Sequence, residues 1–229
     1  MDALSCETLS VREVNHQLRR MPSGASCLVT APGGRHNLGV GITEEIDLTI
    51  EGNAGYFVGG LGGRPGAGPH ITVEGFVGWA VGENLMGGTV RVRGSASQSA
   101  ASSARGGTIV VEGDASLRAG ISLKGATLAV AGDVGAMAGF MAQSGTILVG
   151  GDAGHGLGDS LYEAVIYVAG AISSLGADAT VEELVDDDVL TVKRLVELTG
   201  FDHIDPSQVT KVVSARALYH FSADHHGVY

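Results

Sequence analysis

Aromatic side chains make up only 5% of the 229 residues, so a core of this chain has to be built from Val, Ile, Leu and Ala. Two cysteines, Cys6 and Cys27, are too few for a disulfide framework or a cysteine-held iron–sulfur site. They read as reduced thiols in a cytoplasmic protein. Basic residues are scarce as well: 14 Lys+Arg stand against 25 Asp+Glu, for a formal charge of -11. That balance argues against nucleic acid or an anionic membrane as the main partner. No apolar run approaches the roughly eighteen residues of a membrane span. The opening stretch MDALSCETLSVREVNHQLRRM has two acids before its first arginine and no apolar core, so it does not read as an export signal.

Glycine is abundant instead, at 37 residues and without a strict Gly-x-y period. Its placement is regular. Gly52, Gly75, Gly94, Gly113, Gly132, Gly151 and Gly170 each close a short apolar run, spaced by 23 and then five times by 19 residues. A unit of 19 is too short for a strand with a crossover helix, which takes about 30 residues or more. It fits one coil of a parallel β-helix, with short strands joined by tight bends and stacked in register.

The columns agree. Leu48/Ile50, Ile71/Val73, Val90/Val92, Ile109/Val111, Leu128/Val130, Ile147/Val149 and Ile166/Val168 alternate with period two and belong inside, while Arg91, Arg93 and Glu112 point outward. A third inward column runs Ala54, Val77, Ala96, Ala115, Val134, Ala153, Ile172. A fourth, Gly59, Gly82, Ala101, Gly120, Gly139, Gly158, Ala177, admits only small residues, as a bend squeezed between coils requires. The insertion GGRPGAGPH in the 23-residue interval marks a loop at one corner. SCLVTAPGG places Gly33 nineteen residues before Gly52 and suggests one earlier coil over residues 28–33.

The flanks differ. Ser10 followed by Val11, Val14 and Leu18 predicts a capping helix within residues 5–21. Val189, Val192, Leu195, Val196 and Leu198, stopped by Gly200, predict a helix from Asp188, and PSQVTKVVSARALYHF a second short one opening at Pro206. The organisation expected is therefore an N-terminal extension and cap over 1–44, a parallel β-helix over 45–178, and an acidic linker with an α-helical tail over 179–229.

Chemistry is hard to place on this frame. No Gly-x-x-x-x-Gly-Lys-Ser/Thr string occurs, and GHGLGD at 154–159 runs straight into the next strand instead of a long helix. His203, His220, His225 and His226, with Asp202, Asp205 and Asp224, match no closed zinc spacing, and His155 reads as a surface residue at a bend. Ser97, Ser99, Ser102 and Ser103 fill tight corners without a Gly-x-Ser-x-Gly elbow. Cys6 lies near a fraying end, away from the terminal position an amidotransferase cysteine would occupy. The acids Glu182, Glu183, Asp186, Asp187 and Asp188 read as a solvated linker or interface. Catalytic, cofactor-binding and metal residues are accordingly not expected here; Asp114, Asp133 and Asp152 are expected as turn residues.

The registered Gly-Asp coils, with GGTIVVEGD at 106–114 and SGTILVGGDAG at 144–154, resemble the GXGXG β-helix domain at the C-terminal end of the glutamate synthase large subunit. A subunit of formylmethanofuran dehydrogenase carries a similar module. The resemblance covers roughly residues 45–178, and the N-terminal extension and the tail KVVSARALYHFSADHHGVY look closest to the stand-alone subunit of N-methylglutamate synthase and its GlxC-type relatives. It implies a right-handed, single-stranded parallel β-helix with 19-residue coils and short helical caps.

By the same resemblance, the chain serves as a non-catalytic assembly subunit of a complex that makes N-methylglutamate and ammonia from methylamine and glutamate. The partners implied are a class II glutamine amidotransferase-like subunit and an FMN-binding glutamate-synthase-like subunit, the latter holding FMN and iron–sulfur clusters. Ser95 and Ala171 replace the turn aspartate in two coils, which makes the aspartates turn formers and not a ligand set. The other readings are a scaffold in a formylmethanofuran-dehydrogenase-type complex, a stand-alone enzyme on a left-handed β-helix, and a polysaccharide-binding module. A left-handed β-helix is built from hexapeptide coils of about 18 residues, which the 19-residue units do not match, and the scarcity of aromatic platforms disfavours the polysaccharide-binding module.

Overall fold

The computed structural model describes residues 2–216. Strands β1 (Asp2–Ser5), β2 (Ser26–Thr30), β3 (Asp47–Ile50), β4 (His70–Val73), β5 (Thr89–Val92), β6 (Thr108–Val111), β7 (Lys124–Val130), β8 (Ser144–Val149) and β9 (Val165–Val168) pair in parallel, each with the next in chain order. From β3 onward the register joins Leu48, Ile71, Val90, Ile109, Leu128, Ile147 and Ile166 in one row. A second row of bridges joins Ala54, Val77, Ala96, Ala115, Val134, Ala153 and Ile172. The fold is a β-solenoid. The two strand columns read as inward are no more than 1% exposed, because alternation puts them on the one face that no water reaches.

The small-residue column has two independent causes. Gly59, Gly82, Ala101, Gly120, Gly139 and Gly158 have φ between 60° and 73°, the left-handed region in which a Cβ is crowded by its own backbone. A Cβ at Gly139 would also lie 2.6 Å from Ile166 Cδ1, and one at Gly82 2.7 Å from Ile109 Cγ1, each on the second strand further along the chain. The inserted loop after Gly63 closes through Arg64 and Ala67, whose N–H groups each donate to the other's carbonyl.

At the N-terminal end the ladder runs further than the sequence suggested. Residues 26–30 do form a coil, but Cys27 pairs with Leu48 and Val29 with Ile50, a step of 21. Ala31 and not Gly33 therefore occupies the place of Gly52. Before it β1 adds another rung, so residues 2–5 belong to the sheet. Cys6, expected near a fraying end, is 1% exposed because it continues that rung, its N–H donating to Thr30 O at 3.0 Å.

Helix α1 (Val11–Leu18) starts at Ser10 through a capping box with Glu13 and buries Val14 and Leu18. Its Asn15 stands in for a missing coil. In later coils the left-handed glycine amide donates to a carbonyl of the coil before it, as Gly59 does to Leu38 O at 3.0 Å and Gly82 to Val58 O at 2.8 Å. Gly39 N donates instead to Asn15 Oδ1 at 2.8 Å, while Asn15 Nδ2 donates to Asn37 O at 2.6 Å.

The C-terminal part departs from expectation. Helix α2 (Asp186–Thr199) ends at left-handed Gly200 as expected. It lies on the outer face of β6 to β9, where Val110, Ala129, Leu148 and Tyr167 pack with Val192, Leu195, Phe201, Ile204 and Val209. Leu198 turns away from that contact and is 59% exposed.

The second helix expected after Pro206 is instead strand β11 (Thr210–Ser214), antiparallel to β9, and β10 (Ala179–Glu182) pairs antiparallel with β11. The free edge of β9 decides this. TKVVS carries a period-two pattern in which Val212 is 0% exposed opposite Ile166 and Lys211 faces outward. From residue 217 onward the predicted helix lies outside the described residues. Among the described residues no helix is long and apolar enough to cross a membrane.

Two outcomes test this account. Gly139→Ala should cost about 2 kcal/mol, from left-handed strain and overpacking together. Ile166→Val removes the atom it meets, so a double-mutant cycle by urea unfolding should return a favourable coupling of about 1 kcal/mol. Additive losses would place the whole cost in the backbone. Asn15→Leu should cost about 2 kcal/mol by stranding two backbone groups, with faster hydrogen exchange at the Gly39 amide than at the Gly82 amide.

Candidate functional site

The aspartates of the Gly-Asp bends form a ladder along one corner. Asp133 N donates to Asp114 Oδ1 at 2.9 Å, Asp152 N to Asp133 Oδ1 at 2.7 Å, and Ala171 N to Asp152 Oδ1 at 2.7 Å. Ser95 Oγ takes the same part toward Asp114 N at 3.1 Å, and Asn53 Oδ1 toward Phe76 N at 2.9 Å. Each side chain thus binds the peptide of the following coil, and any short acceptor serves. The glycine beside each acceptor leaves it space: a Cβ at Gly132 would overlap the Asp114 carboxylate, and one at Gly113 would lie 2.5 Å from Ser95 Oγ.

The other sequence candidates are scattered. His203 Nε2 donates to Ala131 O at 3.0 Å, Asp205 accepts from Ser207, and His155 lies 3.4 Å from Ser174 Oγ. His220, His225, His226 and Asp224 lie outside the described residues. Among the described residues no three His, Cys, Asp or Glu side chains gather as a metal site. Cys6 and Cys27 are both buried, and burial raises their thiol pKa. Ser97, Ser99, Ser102 and Ser103 follow one coil, with Ser99 and Ser103 at left-handed positions.

Arg91 and Arg93 both donate to Glu112 Oε1 at 2.6 Å, and Arg91 also donates to Thr199 O. There its positive charge meets the carbonyl end of α2. No ion pair or side-chain hydrogen bond involves Arg105 or Arg118 among the described residues.

One cluster was not visible in sequence. The acidic run expected as a solvated linker contains Asp188, which is only 7% exposed. Its Oδ1 accepts from Tyr167 OH at 2.7 Å, and its Oδ2 from Lys211 Nζ at 3.1 Å and Val185 N at 3.0 Å. Lys211 also pairs with Glu182 at 3.2 Å. Burial works to raise the Asp188 pKa, but the hydrogen bonds from Val185, Tyr167 and Lys211 and the Lys211 charge outweigh it, so the carboxyl sits below its ordinary value. Burial works to lower the Lys211 pKa, and Asp188 with Glu182 overcomes this and raises it. Burial pushes the Tyr167 phenol well above its usual range, reinforced by its bond to Asp188 and by that charge. The groups are saturated with one another, and the cluster fastens α2 and β11 to β9. A 19-residue outward column of Val110, Ala129, Leu148 and Tyr167 was the one sequence signal for it.

A second cluster is aromatic. His36, Tyr56 and Trp79 stack along one outer corner, with ring centroids 4.2 Å and 4.9 Å apart, and Phe57 meets Tyr56 edge-on at 6.4 Å. Rings recur there because successive coils superimpose the same column.

Asp188→Asn should destabilise the attachment of α2 by about 3 kcal/mol. Because the Asp188 pKa is depressed on folding, its contribution is present above the unfolded value of about 3.9 and is lost as pH falls through the folded value. The raised pKa values of Lys211 and Tyr167 give contributions present below about 10 and lost as pH climbs through their folded values. Exchange protection of the α2 amides, corrected for intrinsic rate, should therefore fall in acid in the native chain and change little with acid in Asp188→Asn. Equal acid sensitivity in both chains would remove Asp188 as the cause.

No protein-family model matches the chain. Protein GlxC of Rhizobium meliloti (strain 1021) is 47% identical over 232 residues, and the match covers 100% of each chain. The chain belongs to the GlxC family.

Proposed function

We propose that this chain is the non-catalytic assembly subunit of a glutamate-synthase-like complex, the N-methylglutamate synthase type, which converts methylamine and glutamate into N-methylglutamate and ammonia. The observation that carries the reading is the full-length kinship with GlxC, joined to the resemblance of the Gly-Asp coils to the β-helix domain of glutamate synthase. The solenoid suits the role physically. Each coil bonds to the next through its backbone, so outward side chains are free to vary without loss of the frame.

The partners in this reading are a class II glutamine amidotransferase-like chain and an FMN-binding glutamate-synthase-like chain, with FMN and iron–sulfur clusters on the latter. Their fixed spacing is what this subunit would supply. Co-expression of the three chains followed by native mass spectrometry should give one hetero-oligomer, and formation of N-methylglutamate should fall at least tenfold when this chain is omitted. Full turnover by the other two chains, with this one running alone, would overturn the reading.

A further inference from the structure

The chain contains one tryptophan, five tyrosines and five phenylalanines, and the solenoid interior uses none of them among the described residues. Tyr56, Phe57 and Trp79 stand together instead on an outer corner of the two coils that follow β3 and β4, and Phe76 is exposed three residues ahead of Trp79. Phe57 is 39%, Phe76 44% and Trp79 45% exposed. Phe57 also holds a left-handed backbone, φ 61°, which bulky residues rarely adopt, and gains little burial by it. A protein that fills its core with small aliphatic side chains has no folding need for aromatic rings at this corner.

The charges beside the rings are of one sign. Glu51 and Glu74 lie on successive rungs of the outward column just ahead of the corner, where parallel strands are about 4.8 Å apart. Both are exposed, and no cation pairs with either among the described residues. Two stacked carboxylates repel each other, and the next rung relieves the same column by placing Arg93 beside Glu112. Aromatic anchors with a charged rim are the composition of protein interfaces.

We infer that this corner is the docking surface for a partner protein chain that presents an apolar anchor to the rings and lysine or arginine to Glu51 and Glu74. The inference rests on the assembly reading above and adds to it the face and the chemistry of the partner. Attachment here leaves α2 untouched, since that helix covers the outer face of β6 to β9.

The single tryptophan provides the test. The full chain labelled with 5-fluorotryptophan gives one fluorine resonance, from Trp79, and is titrated with the unlabelled amidotransferase-like and FMN-binding chains. The resonance should shift and lose its solvent accessibility as the complex forms. Trp79→Gln and Phe76→Ser should each weaken assembly at least tenfold while the isolated chain keeps its melting midpoint. Glu51→Lys with Glu74→Lys, which leaves the ring stack intact, should weaken it tenfold or more at low salt and less at high salt.

If the chains assemble and the Trp79 resonance does not move, this inference falls and the assembly reading stands. A resonance that moves with concentration of the chain alone would make a second copy the occupant and overturn it as well. Failure of the partner chains to bind at all would remove both.

Discussion

Main-chain hydrogen bonding between successive coils is the interaction on which everything else here depends. It fixes the distance between equivalent residues of neighbouring coils at about 4.8 Å, so each position along a coil becomes a column running the length of the molecule. A column directed inward has to be apolar in every coil. A column at a bend has to be small, because a neighbouring coil occupies the space: at Gly139 the obstacle is Ile166, further along the stack, and at Gly132 it is the carboxylate of Asp114, in the coil before. The aspartates belong to the same order. Each spans one interval to the following peptide, which is why serine or asparagine can replace it.

Stacking of this kind leaves two ends with unmet backbone groups, and the chain resolves them differently. At the beginning, α1 offers the side-chain amide of Asn15 where a further coil would have offered a peptide. At the other end the chain reverses. Strand β11 runs antiparallel to β9 and β10 antiparallel to β11, so growth in the parallel sense stops. The cluster of Tyr167, Asp188, Lys211 and Glu182 holds that reversal in place by joining β9, α2 and β11 through saturated polar contacts. The lowered pKa of Asp188 and the raised ones of Lys211 and Tyr167 follow from a structural fastening, a reminder that such shifts accompany ion-pair networks as well as reactive sites.

Because the frame is satisfied by backbone and by the inner columns, the outer columns are where one coil can differ from another. Three regimes follow each other along the stack. The early coils carry the aromatic corner with Glu51 and Glu74, which have no ion pair among the described residues. Arg91, Arg93 and Glu112 then form a charged band at the carbonyl end of α2. The later coils place Val110, Ala129, Leu148 and Tyr167 beneath α2 itself. The change from polar to apolar in one outward column thus records where α2 covers the sheet.

Repetition made the solenoid readable from the sequence, since a 19-residue step repeated five times allows no other economical packing, and the buried columns followed from period-two alternation. The helices announced by Ser10 and Gly200 were readable for the same local reason, as caps and apolar spacing act within a few residues. What the sequence did not reveal depends on groups distant in the chain. The step of 21 that puts Ala31 in the place of Gly52 is set by pairing across coils. The segment after Pro206 became a strand because β9 presented an unpaired edge, and α2 settled on a sheet face because apolar side chains from four coils converged there. Asp188 looked like one acid in a solvated run, and only the approach of Tyr167 and Lys211 buried it. Local patterning determined the rungs of this protein, and long-range contact decided how the ladder ends and which side of it is covered.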